Sequence, residues 1–98
     1  MSAWVTVTPL ARDDIKASRD FYESRRPGLG MAFVDEVLGM FDRVAANPLA
    51  YGEFESGVRA AATRVFGHVV YYRGDSRKVE ILAVLHGGRS TRWIQSRI

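Results

Sequence analysis

The feature that most constrains this chain is a break between two helices. Arg26-Pro27-Gly28-Leu29-Gly30 separates two amphipathic stretches. The residue before a proline resists helical backbone, and glycine supplies turn conformations that other residues avoid. After the break, Phe33, Val34, Val37, Leu38, Phe41, Val44 and Ala45 recur at helical spacing from about Leu29 to Ala46, and Asn47-Pro48 ends the run. Before it, Ala11, Ile15, Ser18 and Tyr22 form one stripe, flanked by Leu10, Ala17 and Phe21. Thr8 is placed to cap this helix, Pro9 suits its first position, and Asp13 and Asp14 lie near its positive end. The predicted helix is Pro9 to Arg25. A connection of about four residues between two such helices predicts an antiparallel helical hairpin.

The rest of the chain reads as strands. Ala3 to Thr8 alternates β-branched and aromatic residues. Leu49 to Gly57 reads as a loop with aromatic anchors. Val58–Val65, His68–Arg73 and Val79–His86 follow as three strands, parted by Gly67 and by Gly74-Asp75-Ser76-Arg77, connections short enough to force antiparallel neighbours. The tail from Gly87 to Ile98 is a short helix or an extended arm. The order is β-α-α-β-β-β, an α+β fold with a helical hairpin packed on one face of an antiparallel sheet. In the last strand Val79, Ile81, Ala83 and Leu85 share one face and Glu80, Leu82, Val84 and His86 the other. Which set faces the hairpin stays open, and the opposite sheet face is expected to be bare.

Residues 1–98 read as one domain, since 98 residues hold one core. At 47% hydrophobic and 26% charged the chain is unlike a disordered segment. No apolar run approaches the ~18–20 residues of a membrane span, and the first residues lack a secretory signal. There is no cysteine, and two histidines, His68 and His86, make a dedicated metal site unexpected. No cofactor motif is present: GxGxxG, Walker, HExxH and Ser-His-Asp spacings are all missing. Charge is uneven. The formal net charge is +3, but residues 1–58 carry net −3 and residues 59–98 net +6. Twelve of the fourteen basic residues are arginine, which grips carboxylate or phosphate with two donors at once. The basic half is expected to attract an anionic partner.

Three groups carry chemistry. Arg59 and Arg64 flank small residues in one predicted strand, where a flat surface could meet an anionic ligand or an incoming peptide. The alternative is a strand edge protected by charge. Tyr71-Tyr72-Arg73 ends the next strand; one tyrosine should enter the core while the other faces outward beside arginine, as a contact surface or as a cross-strand packing residue. His86-Gly87-Gly88-Arg89 closes the last strand. It could join an acid–base imidazole to a phosphate-holding arginine, or simply anchor the tail.

Taken together, Thr8-Pro9-Leu10-Ala11 with Asp14, Phe21-Tyr22, Pro27-Gly28-Leu29, Phe33, Asn47-Pro48, Tyr51, Val58-Arg59, Phe66, Val70-Tyr71-Tyr72, Ile81 to His86, Arg89, Trp93 and Arg97 form an ordered set. The set resembles the RelE/ParE superfamily of toxins from type II toxin–antitoxin modules, from about Val5 to Arg97. No single motif is specific; the order and spacing are. The resemblance implies a cytoplasmic toxin of a growth-arrest or plasmid-stabilization module, neutralised by a cognate antitoxin whose flexible acidic segment folds on binding. It implies no cofactor.

The superfamily holds two activities. ParE-like members poison DNA gyrase, and RelE-like members cut messenger RNA on the ribosome. The region from Leu49 to Thr63 contains no lysine, unlike the lysine-rich stretch of typical RelE toxins. With the acidic hairpin, this favours the gyrase poison. In the alternative, Arg64 and Arg89 would hold the scissile phosphate and His86 would protonate the leaving oxygen. Arg59, Tyr72, Arg73 and Trp93 are the expected contacts to antitoxin or target. A non-toxic protein-binding adaptor is a third reading.

Overall fold

A computed structural model describes residues 2–88 and 92–98. The elements are β1 (Trp4–Val7), α1 (Pro9–Arg25), α2 (Leu29–Ala46), β2 (Glu53–Glu55), β3 (Val58–Ala62), β4 (His68–Gly74), β5 (Lys78–His86) and α3 (Arg92–Gln95). Both long helices begin and end where their sequence signals lie. The Thr8 hydroxyl accepts from the Ala11 N–H at 3.2 Å, with Pro9 opening the helix. Gly28, at φ +88°, makes the turn into α2. Gly30 serves a different purpose: a Cβ there would lie 2.7 Å from the Arg19 carbonyl oxygen, so glycine lets the two helices approach. The Glu23 carboxylate reaches across from α1 and accepts from the N–H groups of Gly28 and Gly30 at 3.0 Å. It therefore satisfies the start of α2, where no side-chain cap is available from Gly28 itself.

The five strands form one sheet in the order β1-β5-β4-β3-β2. Two features depart from the sequence reading. β1 runs parallel to β5, from Trp4↔Lys78 to Val7↔Ile81, so the sheet is mostly rather than wholly antiparallel. The whole hairpin lies between β1 and the later strands, and a long crossover permits parallel pairing. The segment read as a loop also contributes β2, an irregular edge strand on β3.

The main core lies between the hairpin and the sheet. Phe33, Val37 and Val44 of α2 are fully buried against Val70, Tyr72, Val79 and Ile81. Tyr22, Phe33, Phe66 and His68 pack ring on ring, with centroids 4.7 Å apart for Tyr22–Phe66 and for Phe33–His68. Such pairs add about 0.5–1.5 kcal/mol each beyond their burial.

The far face of the sheet is not bare. Val58, Leu82, Ala83, Leu85 and Ile94 form a second core there, with Phe54 and Tyr71 against it. A bulge explains how β5 serves both cores. Tyr71 pairs with Ala83 but Tyr72 pairs with Ile81, so Leu82 is the extra residue. A single inserted residue swaps faces. Val79 and Ile81 face the helices before the bulge, and Val84 does so after it, while Ala83 and Leu85 join the far core. The uninterrupted alternation expected for this strand is therefore corrected at Leu82.

Glu36 ties α2 to the connection between β3 and β4. Its carboxylate accepts from the Val65 N–H at 2.7 Å and the Phe66 N–H at 3.0 Å. Burial pushes its pKa up, but the backbone bonds from Phe66 and Val65, with Thr63 and His68, outweigh it and hold the group below the ordinary glutamate range. A depressed folded-state pKa adds stability that is fully present above the unfolded value of ~4.3 and is lost as pH falls through the folded value. Glu36→Gln should therefore flatten the acid limb of the stability–pH curve below pH ~5. Chemical denaturation at stepped pH measures this, and an unchanged limb would contradict it.

Candidate functional site

The bulge has a second consequence. β1 covers β5 only as far as Ile81, so among the described residues the outer edge of β5 beyond that point has no strand beside it. Side chains satisfy the backbone there. The Asp14 carboxylate accepts from the Val84 N–H at 3.0 Å. The same carboxylate receives two bonds from Arg97, from Nη1 at 2.5 Å and Nη2 at 3.0 Å. Arg97 Nη1 also donates to the Leu82 carbonyl at 3.2 Å. Both side chains are nearly buried, at 13% exposed for Arg97 and 11% for Asp14. The hydrogen bond to Asp14 raises the Arg97 pKa above its ordinary range.

Above this ion pair a cleft opens between α1 and the end of β5. It comprises two adjoining cavities of about 290 and 420 Å³, which share Ala17, Ser18, His68 and His86. Asp14, Ala17, Ser18 and Phe21 recur at i, i+3, i+4 and i+7, so one face of α1 forms the wall. Trp93 and Phe21 stand at the rims, each about half exposed.

The two imidazoles differ. His68 is 3% exposed, and its Nδ1 donates to the Phe66 carbonyl at 3.1 Å. In the neutral ring this leaves Nε2 to accept from the Ser18 hydroxyl, 3.3 Å away. His68 is thus a bonded part of the core. His86 is exposed, its ring centroid 5.4 Å from that of His68. Its Nδ1 accepts from the Gly88 N–H at 3.2 Å, which leaves Nε2 as the donor in the neutral ring. Among the described lining residues Arg97 is the one arginine, and it is already engaged by Asp14 and Leu82. Asp13 and Asp14 add negative charge. The cleft can donate a hydrogen bond from His86, and none of its described lining residues offers an unengaged guanidinium to a phosphate.

The other predicted residues lie apart. Arg59 and Arg64 do not share a strand surface. β3 ends at Ala62, so Arg64 lies beyond it, while Arg59 donates to the Tyr51 carbonyl at 2.6 Å. Arg64 lines a third cavity, of about 470 Å³, with Met40, Arg43, Tyr51 and Ala62, and this shares no residue with the His86 cleft. The flat strand surface expected between Arg59 and Arg64 is therefore not formed. Tyr72 is fully buried, and its hydroxyl donates to the Pro48 carbonyl at 2.6 Å. With no exposed surface it offers a partner no contact. Tyr71, on the opposite face, packs on Phe54 at 5.5 Å. Arg73 is exposed and paired with Glu80 at 3.2 Å. Arg89 lies outside the described residues. Asp14, Arg97 and Ser18 were absent from the candidate site residues. Their partners lie 50 to 83 positions away, beyond any local pattern.

Comparison with known proteins agrees with this fold. A family model described as "ParE toxin of type II toxin-antitoxin system, parDE" matches residues 5–91, and the chain belongs to that family. No curated protein matched. Among solved structures, a chromosomal ParDE toxin–antitoxin system from P. aeruginosa matches with a TM-score of 0.75 at 20% identity, over 87% of this chain and 96% of that one. The RelBE2 toxin–antitoxin complex from Mycobacterium tuberculosis matches with a TM-score of 0.60 at 22% identity, over 88% of this chain and 99% of that one. The protein is a type II toxin of the RelE/ParE superfamily.

Asp14→Ala should cost about 3 kcal/mol, because it leaves Arg97 buried without its anion. Arg97→Met should cost a similar amount. The double variant should lose clearly less than the sum, which urea denaturation of all four proteins would measure. Additive losses would show that the pair is not coupled.

Proposed function

We propose that this toxin acts as a ParE-like gyrase poison in the cytoplasm and is held inactive by a cognate antitoxin. One observation carries the reading. Arg64, one of the two phosphate holders a nuclease would need, and His86, its proton donor, line cavities on separate parts of the molecule, while Arg89, the other holder, lies outside the described residues. Cleavage of RNA needs the acid, the base and the charge-stabilising donors within hydrogen-bond reach of one phosphate. The cleft at His86 instead pairs its arginine with Asp14 and carries Asp13 beside it. That charge repels a phosphate backbone. Membership of the ParE toxin family supports the same direction. Growth arrest on this reading comes from binding, with no bond made or broken by the toxin itself.

The test follows DNA and RNA in one culture after the toxin is induced alone. Expected are trapped DNA breaks, relief by surplus gyrase, intact transcripts in the first minutes, and unchanged potency for His86→Ala and Arg64→Ala. Cleaved transcripts, with toxicity abolished by His86→Ala, would establish the ribosome-dependent nuclease instead. Normal growth with a folded, soluble chain would point to the adaptor.

A further inference from the structure

We propose that Ser18 and His68 form a nucleophile–base pair in the cleft and take the acyl group of a small, uncharged carboxylic ester, with His86 holding the ester carbonyl oxygen. This chemistry is separate from growth arrest and does not depend on the gyrase reading. Three observations carry it.

The first is what the Ser18 hydroxyl bonds to. A serine on a helix ordinarily donates back to a carbonyl of the preceding turn. Ser24 does so to Phe21 at 2.6 Å, and Ser96 to Trp93 at 3.0 Å. Ser18 instead meets His68 Nε2 at 3.3 Å, 50 positions away. A hydroxyl on an imidazole lone pair is the arrangement that activates a serine for attack.

The second is the support behind the imidazole. His68 Nδ1 donates to the Phe66 carbonyl at 3.1 Å, which keeps the proton on Nδ1 and the lone pair on Nε2 facing Ser18. The ring is wedged against Phe33 at 4.7 Å, and the His68 N–H is tied to the Thr63 hydroxyl at 2.9 Å. The Glu36 carboxylate lies close enough to interact with a charge on His68, so an imidazolium formed during the reaction has an anion to stabilise it. Both partners sit on regular elements, Ser18 within α1 and His68 at the start of β4, so the pair is held in place before any ligand arrives.

The third is access. Ser18, His68 and His86 line both adjoining cavities, of about 290 and 420 Å³. Ala17, Phe21 and Tyr22 give the larger one an apolar wall for the acyl or leaving group. His86 Nε2–H is a side-chain donor for the carbonyl oxygen as negative charge develops there.

The step balances within these groups. Ser18 Oγ bonds to the ester carbon while its proton passes to His68 Nε2. His68 returns that proton to the leaving oxygen as the ester C–O bond breaks, and the acyl group stays on Ser18. Water then repeats the sequence and releases the acid.

The test uses the purified full chain and p-nitrophenyl acetate. Expected are a burst of p-nitrophenol that matches the amount of chain, and an acetyl group located on Ser18 by peptide mass spectrometry. The burst should be at least about tenfold slower in Ser18→Ala and in His86→Ala, with folding checked by circular dichroism. Lys16→Gln, which removes a neighbouring amine able to react by itself, should keep the burst. His68→Gln should lose it where that variant folds, and Ser18→Ala decides where it does not. No release above buffer, acetyl found on Lys16 or His86 in place of Ser18, or an unchanged burst in Ser18→Ala or His86→Ala would overturn the proposal.

Discussion

The Asp14 carboxylate is the interaction on which this architecture turns. It accepts one bond from the backbone of β5 and two from Arg97, and so joins α1, the central part of the sheet and the segment after α3. The requirement arises from backbone accounting. A bulge at Leu82, next to the point where β1 stops, exposes carbonyl and amide groups that no strand can satisfy. Burying such groups unpaired costs roughly 1–3 kcal/mol each. Asp14 meets the amide of Val84, while Thr8 and Arg97 both reach the Leu82 carbonyl. The bulge, the missing strand pairing and the ion pair are one structural solution.

That solution also shapes the surface above it. The edge of β5 is held by a side chain of α1 rather than by another strand, and the cleft lined by both histidines opens between that helix and the strand end. The chemistry of the cleft follows from the same pair. An arginine that would otherwise face an anion is neutralised by the aspartate that anchors it. Arg43 and Arg64 lie elsewhere, lining the cavity beside α2 and the end of β3 with Met40, Tyr51 and Ala62.

Local signals made much of the fold legible. Thr8-Pro9, the Pro27-Gly28 break and Asn47-Pro48 mark the helix limits because caps and turns are properties of a few adjacent residues. The three long strands were visible from their apolar content and short connections. The parallel pairing of β1 was not, since strand direction depends on what lies between the strands rather than on the strand itself. β2 is three residues long with two glutamates, and its pairing depends on β3. The Leu82 bulge left no mark in an apolar run where both neighbours are also buried. Among site residues, His86 and Trp93 do face the cleft, whereas Tyr72 and the Arg59–Arg64 pairing depended on strand phase, which one inserted residue or one early strand end can change. Asp14–Arg97 spans 83 positions and no periodicity reaches that far.

This separation bears on how the molecule is made. α1 leaves the ribosome long before Arg97 does, and the Val84 amide that shares Asp14 also arrives late. Until both are synthesised, Asp14 has neither partner, and the helical hairpin must wait without its clasp. Closure of the clasp is thereby tied to a segment made 83 positions after Asp14, so the hairpin stays unlatched while the later strands of the sheet are being synthesised.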